Sequence, residues 1–243
     1  MTRTRVYTDQ PLAAGVSVEL GEDAAHHVSS VLRLRCGDPL VLFDGKGAEC
    51  RGVIDRIGKR QVAVRIETHA LIDRESPLKV TLAQGISRGE RMDYTIQKAV
   101  ELGVAAIAPL NTQRSTVKLD AERTEKRLAH WRKVMVSACE QCGRNHLPAL
   151  MPVQNLPQWL AQAHDELKIV LRGGAETPLT SLPPPQHGVT MLIGPEGGLD
   201  ETEIRAAEQA RYRPVRLGPR ILRTETAAVT ALAAMQAIWG DFR

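Results

Sequence analysis

The stretch Val189-Thr190-Met191-Leu192-Ile193-Gly194-Pro195-Glu196-Gly197-Gly198-Leu199-Asp200-Glu201-Thr202-Glu203 decides how this chain folds. Its first five residues form a short continuous run, as a strand buried on both faces of a parallel sheet requires. Asp200-x-x-Glu203 resembles a capping box, with aspartate in the cap position, and opens a helix to Tyr212. Between strand and helix lies a loop with three glycines. In an open α/β sheet, ligands sit beyond the carboxyl ends of the strands, and glycines there let the backbone approach a ligand closely. The loop lacks the Gly-Lys-Ser/Thr ending of a Walker loop and the Gly-x-Gly-x-x-Gly order of a dinucleotide fingerprint. A plain strand-to-helix turn is the alternative reading.

Downstream, Leu217-Gly218-Pro219-Arg220-Ile221-Leu222-Arg223-Thr224-Glu225-Thr226-Ala227 also leaves a strand, Pro214–Leu217, and enters a helix. Thr224 or Thr226 is expected to cap that helix, which runs to Trp239. Its apolar pair and free backbone groups suit a flat heterocycle, and its arginines suit a polar tail or a phosphate. Each arginine could equally make a surface ion pair of little energetic value.

Upstream, strands and helices alternate from Leu78 onward. Strands are expected at Lys79–Gln84, Val104–Pro109 and Lys168–Leu171. Helices are expected at Arg91–Leu102, Asp120–Cys142 and Leu156–Gln162. This alternation predicts an α/β domain with a mostly parallel sheet. The first 70 residues read differently. Val16–Leu20, Pro39–Asp44, Ala48–Ile57 and Gln61–Thr68 are short strands punctuated by glycine turns, with one helix at Ala24–Leu34, and suggest a small barrel. The charged, proline-ended stretch Asp73-Arg74-Glu75-Ser76-Pro77 marks the boundary, giving domains at 1–72 and 73–243.

The 243 residues are 43% apolar and 25% charged, an ordinary globular composition that argues against global disorder. Aromatics are only 3%, which disfavours a surface built on base stacking. The net charge of +4 is small, but residues 76–150 alone carry +5, a modest pointer to a phosphate-bearing partner. Cys139-x-x-Cys142 has metal-ligand spacing, yet Cys36 and Cys50 supply no second close pair, so no metal is expected. No signal peptide and no membrane span is expected, and the protein is read as cytoplasmic.

The two loops together resemble the RsmE family, bacterial 16S ribosomal RNA (uracil-1498-N3)-methyltransferases of the SPOUT class. Further matching motifs are His26-His27-Val28-x-x-Val31-Leu32-Arg33 with Gly37-Asp38, Lys98-Ala99-x-Glu101-Leu102-Gly103-Val104, and Glu140-Gln141-x-x-Arg144. They follow the family's order from residue 26 to residue 227.

The resemblance implies a PUA-like β-barrel that binds RNA, then a SPOUT α/β domain whose C-terminal segment threads a deep trefoil knot. It implies S-adenosylmethionine as cofactor, a homodimer, and methylation of N3 of uridine 1498 in 16S ribosomal RNA of the small subunit. Three strand exits would then line one cofactor pocket, with Leu171, Ile193, Gly194, Gly198, Leu217, Gly218, Ile221, Leu222, Arg223 and Thr224 as its residues. Uracil N3 carries a proton that must leave. Glu196 and Glu140 are candidate acceptors, and Arg144 and Arg223 candidate stabilisers of the anion. Arg5, Arg33, Arg35, Arg88 and Arg91 are candidate phosphate contacts. His26 and His27 could touch RNA or cap the local helix. Ala228, Leu232, Met235 and Trp239 form a stripe on the last helix that could build part of the dimer. Two other readings stand beside this one: an RNA-binding protein without catalysis, and a SPOUT enzyme acting on another nucleotide, for example at a ribose 2′-oxygen.

Overall fold

The computed structural model describes residues 4–58, 61–115, 121–162 and 167–242. The chain divides into two compact units. The first comprises residues 1–75 and 136–147, and the second 76–135 and 148–243. The break at 75/76 lies three residues beyond the boundary read from sequence. The return of 136–147 to the first unit is a feature that a linear reading does not foresee.

In the first unit, β1 (Arg5–Tyr7), β2 (Ser17–Glu19), β3 (Pro39–Phe43), β4 (Ala48–Ile57) and β5 (Val62–Leu71) form one sheet in the order β1-β3-β4-β5-β2. β1 runs parallel to β3, and the other pairs are antiparallel. Alternation in β5 sends Val62, Val64 and Ile66 into the core, where they meet Leu40, Leu42 and Ile54. The β4–β5 register shifts at Arg51/Gly52, and a Cβ on Gly52 would stand 2.6 Å from the Arg65 carbonyl oxygen. The backbones approach there too closely for any side chain.

The expected helix at Ala24–Leu34 is shorter. α1 (Glu22–His26) passes into a π-helical turn at His27–Val31, and Arg33 takes a left-handed φ of 54°, which stops the helix.

The returning segment is held to this unit by charge. Glu49 Oε2 accepts hydrogen bonds from Arg5 (2.7 Å), Arg74 (2.8 Å) and Asn145 (3.2 Å). Arg5 also donates to Asn145 Oδ1 at 2.6 Å. Burial alone would push the Glu49 carboxyl up, but these donors outweigh it and hold it at about 2.

The second unit is built on β6 (Val80–Gly85), β7 (Ala106–Asn111), β8 (Ala149–Leu150), β9 (Gln154–Asn155), β10 (Leu167–Leu171), β11 (Val189–Ile193) and β12 (Arg213–Val215). All pairs are parallel, in the order β12-β10-β11-β6-β7-β8, with β9 also on β7. Every residue of β11 is buried, which is why that strand shows no alternation. The helices of this unit are α2 (Glu90–Glu101), α3 (Ala121–Cys142) up to Met135, α4 (Leu156–Leu160), α5 (Glu201–Gln209) and α6 (Thr224–Trp239).

α5 opens as its sequence dictates: Asp200 Oδ1 accepts the Glu203 N–H at 2.8 Å, and Glu203 Oε2 accepts the Asp200 N–H at 2.9 Å. α6 does not. Its cap position is Arg223 with no side-chain cap, and the Thr224 hydroxyl donates to the Gly194 carbonyl at 2.7 Å. That hydroxyl also accepts from Gln84 Nε2 at 2.9 Å, so it ties the start of α6 to the end of β11.

Of the stripe read as part of a dimer face, Trp239 is half-buried. Ala228, Leu232 and Met235 are fully buried within the chain, where α6 packs on α2. Gln236, equally buried, accepts from Ser76 Oγ and donates to the Leu102 carbonyl. Among the described residues, no helix is long and apolar enough to cross a membrane.

Candidate active site

The parallel sheet points three strand ends, those of β10, β11 and β12, at one side of the second unit. The loops leaving them enclose a cavity of about 550 Å³. That lies within the range of roughly 300–1,000 Å³ typical of small-molecule sites. All ten residues read as cofactor ligands line it, from Leu171 on the first loop to Thr224 on the third. Residues as far apart in sequence as Leu171 and Thr224 thus meet because a parallel sheet gathers the carboxyl ends of its strands.

The glycines divide into two kinds. A Cβ on Gly194 would lie 2.6 Å from the Leu199 nitrogen, so this residue is glycine to let its own loop turn back on itself. Gly198 and Gly218 have φ of 70° and 110°, and a Cβ on either would meet no atom within 4 Å. Both line the cavity, so their bare backbone adjoins open space that a ligand can occupy.

The apolar contribution is uneven. Ile193 and Val215 are buried under the cavity, whereas Ile221 is 94% exposed. Ile221 lines the cavity from its rim, where a Cβ on Gly173 would approach its Cγ1 at 3.9 Å.

Two carboxylates line the cavity. Glu196 Oε1 accepts the Arg88 N–H at 2.9 Å and an Arg91 guanidinium N–H at 3.2 Å. Burial pushes its carboxyl up, but the Arg88 and Glu196 backbone N–H groups and Arg91 prevail, and the net direction is down. Glu196 is thus held ionised and is a weak proton acceptor. The second carboxylate is Glu225, in the first turn of α6. Its Oε2 is buried and has no hydrogen-bond partner among the described residues, leaving an acceptor for a donor from a ligand. Arg223 lies exposed on the same rim.

The other candidates lie elsewhere. Glu140 and Arg144 belong to the first unit and do not line the cavity. Glu140 Oε1 accepts the Tyr7 N–H at 3.1 Å, and burial pushes its carboxyl up against that bond. Arg144 is buried and pairs with Glu75. Arg5, read as a phosphate contact, has only 10% of its side chain exposed and is bound to Glu49. A phosphate could reach its guanidinium only by displacing that carboxylate. Arg33 and Arg35 are exposed, His26 is exposed, and His27 is half-buried. Cys139 is buried, its thiol pushed up to about 12 chiefly by burial, and among the described residues no cluster of His, Cys, Asp and Glu could hold a metal ion.

A chain that carries a parallel sheet with a strand-end cavity and, separately, a small β unit has direct counterparts. Residues 74–236 match the RNA methyltransferase domain family, and residues 20–67 match the RNA methyltransferase PUA domain. Among curated proteins, the chain is 34% identical to ribosomal RNA small subunit methyltransferase E of Buchnera aphidicola from Schizaphis graminum, covering 98% of this chain and 97% of the relative. The protein of that name from Bacillus subtilis is 32% identical, over 94% of this chain and 93% of its own.

Two solved structures superpose over the full length of both chains. One is a Legionella pneumophila methyltransferase in complex with the bound cofactor S-adenosylmethionine (TM-score 0.97, 43% identity). The other is the Neisseria gonorrhoeae ribosomal RNA small subunit methyltransferase E bound to S-adenosylmethionine (TM-score 0.92, 39% identity). The chain belongs to the family of ribosomal RNA small subunit methyltransferase E.

Proposed function

We propose that this chain transfers a methyl group to N3 of uridine 1498 in 16S ribosomal RNA of the small subunit, with S-adenosylmethionine as its cofactor. The observation that carries the reading is the convergence of three strand exits on one cavity with bare glycine backbone at Gly198 and Gly218. Leu171, Ile193, Gly194, Gly198, Leu217, Gly218, Leu222 and Thr224 would hold the cofactor. When bound, it supplies a methyl group on a sulfonium centre, open to direct displacement. The residues of this chain align the nucleophile and stabilise the anion left when its N3 proton passes to water.

Glu196 is held ionised by Arg88 and Arg91, so it does not store the proton, and it keeps Arg91 fixed on the cavity wall. Arg223, exposed on the rim, stabilises the uracil anion that proton loss creates. Glu140 and Arg144, engaged with Tyr7 and Glu75, secure the first unit. Arg33 and Arg35 contact RNA phosphates. The same reading carries a closed PUA-like barrel, a trefoil knot in the C-terminal segment, a homodimer, and the cytoplasm as the place of action.

Calorimetric titration with S-adenosylmethionine tests it. Saturable binding is expected, and its absence would favour an RNA-binding protein without catalysis.

A further inference from the structure

Among the described residues, Ile221 is the most exposed large apolar side chain, at 94%. It stands on the rim of the cavity, opposite Gly173, between Arg220 and Arg223, which are both exposed. No hydrogen bond or ion pair holds either guanidinium among the described residues. The other arginines on the cavity are engaged: Arg91 with Glu196, Arg172 with Glu201, and Arg216 with the carbonyls of Ala175 and Glu176. The rim therefore presents one apolar side chain flanked by two free cations, at the mouth of a cavity large enough for a base.

This combination has a chemical reading, which rests on the function proposed above. N3 of uracil lies on the pairing edge, and a stacked or paired base cannot bring that atom into a cavity. The nucleotide must swing out, at the cost of lost stacking. Apolar side chains inserted between bases are a general way to offset that loss, and cations on either side hold the flanking phosphates.

We propose that Ile221 is a wedge that takes the place of the target base in the RNA stack, with Arg220 gripping a neighbouring phosphate. An exposed isoleucine is costly in water and is relieved when it packs against bases. The free charges beside it match a polyanion, which favours RNA over an apolar protein partner.

The test uses the full chain and small ribosomal subunits lacking the methyl group. For Ile221→Ala, the account expects S-adenosylmethionine affinity by calorimetry and mass by light scattering to equal wild type. Single-turnover methyl transfer should fall roughly 30-fold, the scale of one unstacked base step. Ile221→Phe, a bulkier wedge, should restore transfer to within a few fold. Arg220→Ala should leave cofactor affinity alone and flatten the slope of log subunit affinity against log salt by about 0.7.

The wedge is overturned if Ile221→Ala weakens cofactor binding tenfold, because the side chain then covers the cofactor. It is overturned if the variant changes mass, which would make Ile221 an interface between copies. It is also overturned if transfer is unchanged, or if Ile221→Phe fails to restore it. If wild type itself binds no cofactor or transfers no methyl, the proposed function fails, which is distinguishable from failure of the wedge alone.

Discussion

Replacing Gly198 by alanine adds one methyl group where the backbone has φ of 70° and no atom lies within 4 Å. Two effects follow, and they separate. The first is strain: an L-residue in the left-handed region costs about 1–2 kcal/mol. For a chain of this size each kcal/mol lowers Tm by roughly 2–4 °C. The second is occupancy: the methyl takes space where a ligand would touch the loop. Overpacking by such a group costs about 1–3 kcal/mol, a loss of roughly 5- to 150-fold in affinity. Gly15→Ala is the control, because Gly15 has φ of 80°, also with nothing within 4 Å, but lies in the first unit. Both variants should melt a few degrees lower in a thermal scan. In calorimetric titration with S-adenosylmethionine, only Gly198→Ala should lose affinity. Equal affinities for the two variants would refute the argument that the Gly198 backbone lines the ligand space. Valine at position 198 is a poorer test, since a branched side chain at this φ strains the fold as well.

Three further outcomes are expected. The Glu49 carboxyl, held at about 2 against an ordinary 4.5, is stabilising above pH 4.5, and that stability is lost as pH falls toward 2. The shift corresponds to about 3 kcal/mol, and denaturant melts across this window should show a flatter acid limb for Glu49→Gln. Thr224→Val takes the 2.7 Å hydroxyl donor from the Gly194 carbonyl, which keeps only Gln84 Nε2 at 3.3 Å, and removes one of the three acceptors of Gln84 Nε2; it should lower unfolding free energy by about 1–3 kcal/mol. Arg33→Ala with Arg35→Ala should weaken RNA binding and flatten its salt slope by about 1.4 without altering cofactor affinity; an unchanged slope would remove both residues from the RNA surface.

The readable parts of this chain are those whose physics is local. β11 is legible because a doubly buried strand needs an unbroken run, and α5 because Asp200 and Glu203 satisfy each other across one turn. β1 is not legible, because three residues pairing parallel with β3 leave no hairpin signal. The return of 136–147 to the first unit rests on Glu49, Arg5, Arg74 and Asn145, residues up to 140 positions apart, and no periodicity encodes such pairs. Nine of the ten residues read as cofactor ligands stand in two motifs and Leu171 ends a third strand, but their division of labour is not legible. Sequence could not tell that Thr224 ties α6 to β11, that Glu225 keeps an unpartnered oxygen, or that Ile221 points outward. The apolar spacing of α6 fits a core helix and a dimer face equally, and only burial separates the two.

The central claim is a methyl transfer to one atom of one nucleotide. Small ribosomal subunits lacking the modification are incubated with the protein and methyl-labelled S-adenosylmethionine. The 16S RNA is then digested, and its nucleosides are identified by mass spectrometry. The account predicts label in 3-methyluridine at position 1498. Label in a ribose-methylated nucleoside, at another position, or in no nucleoside would contradict it.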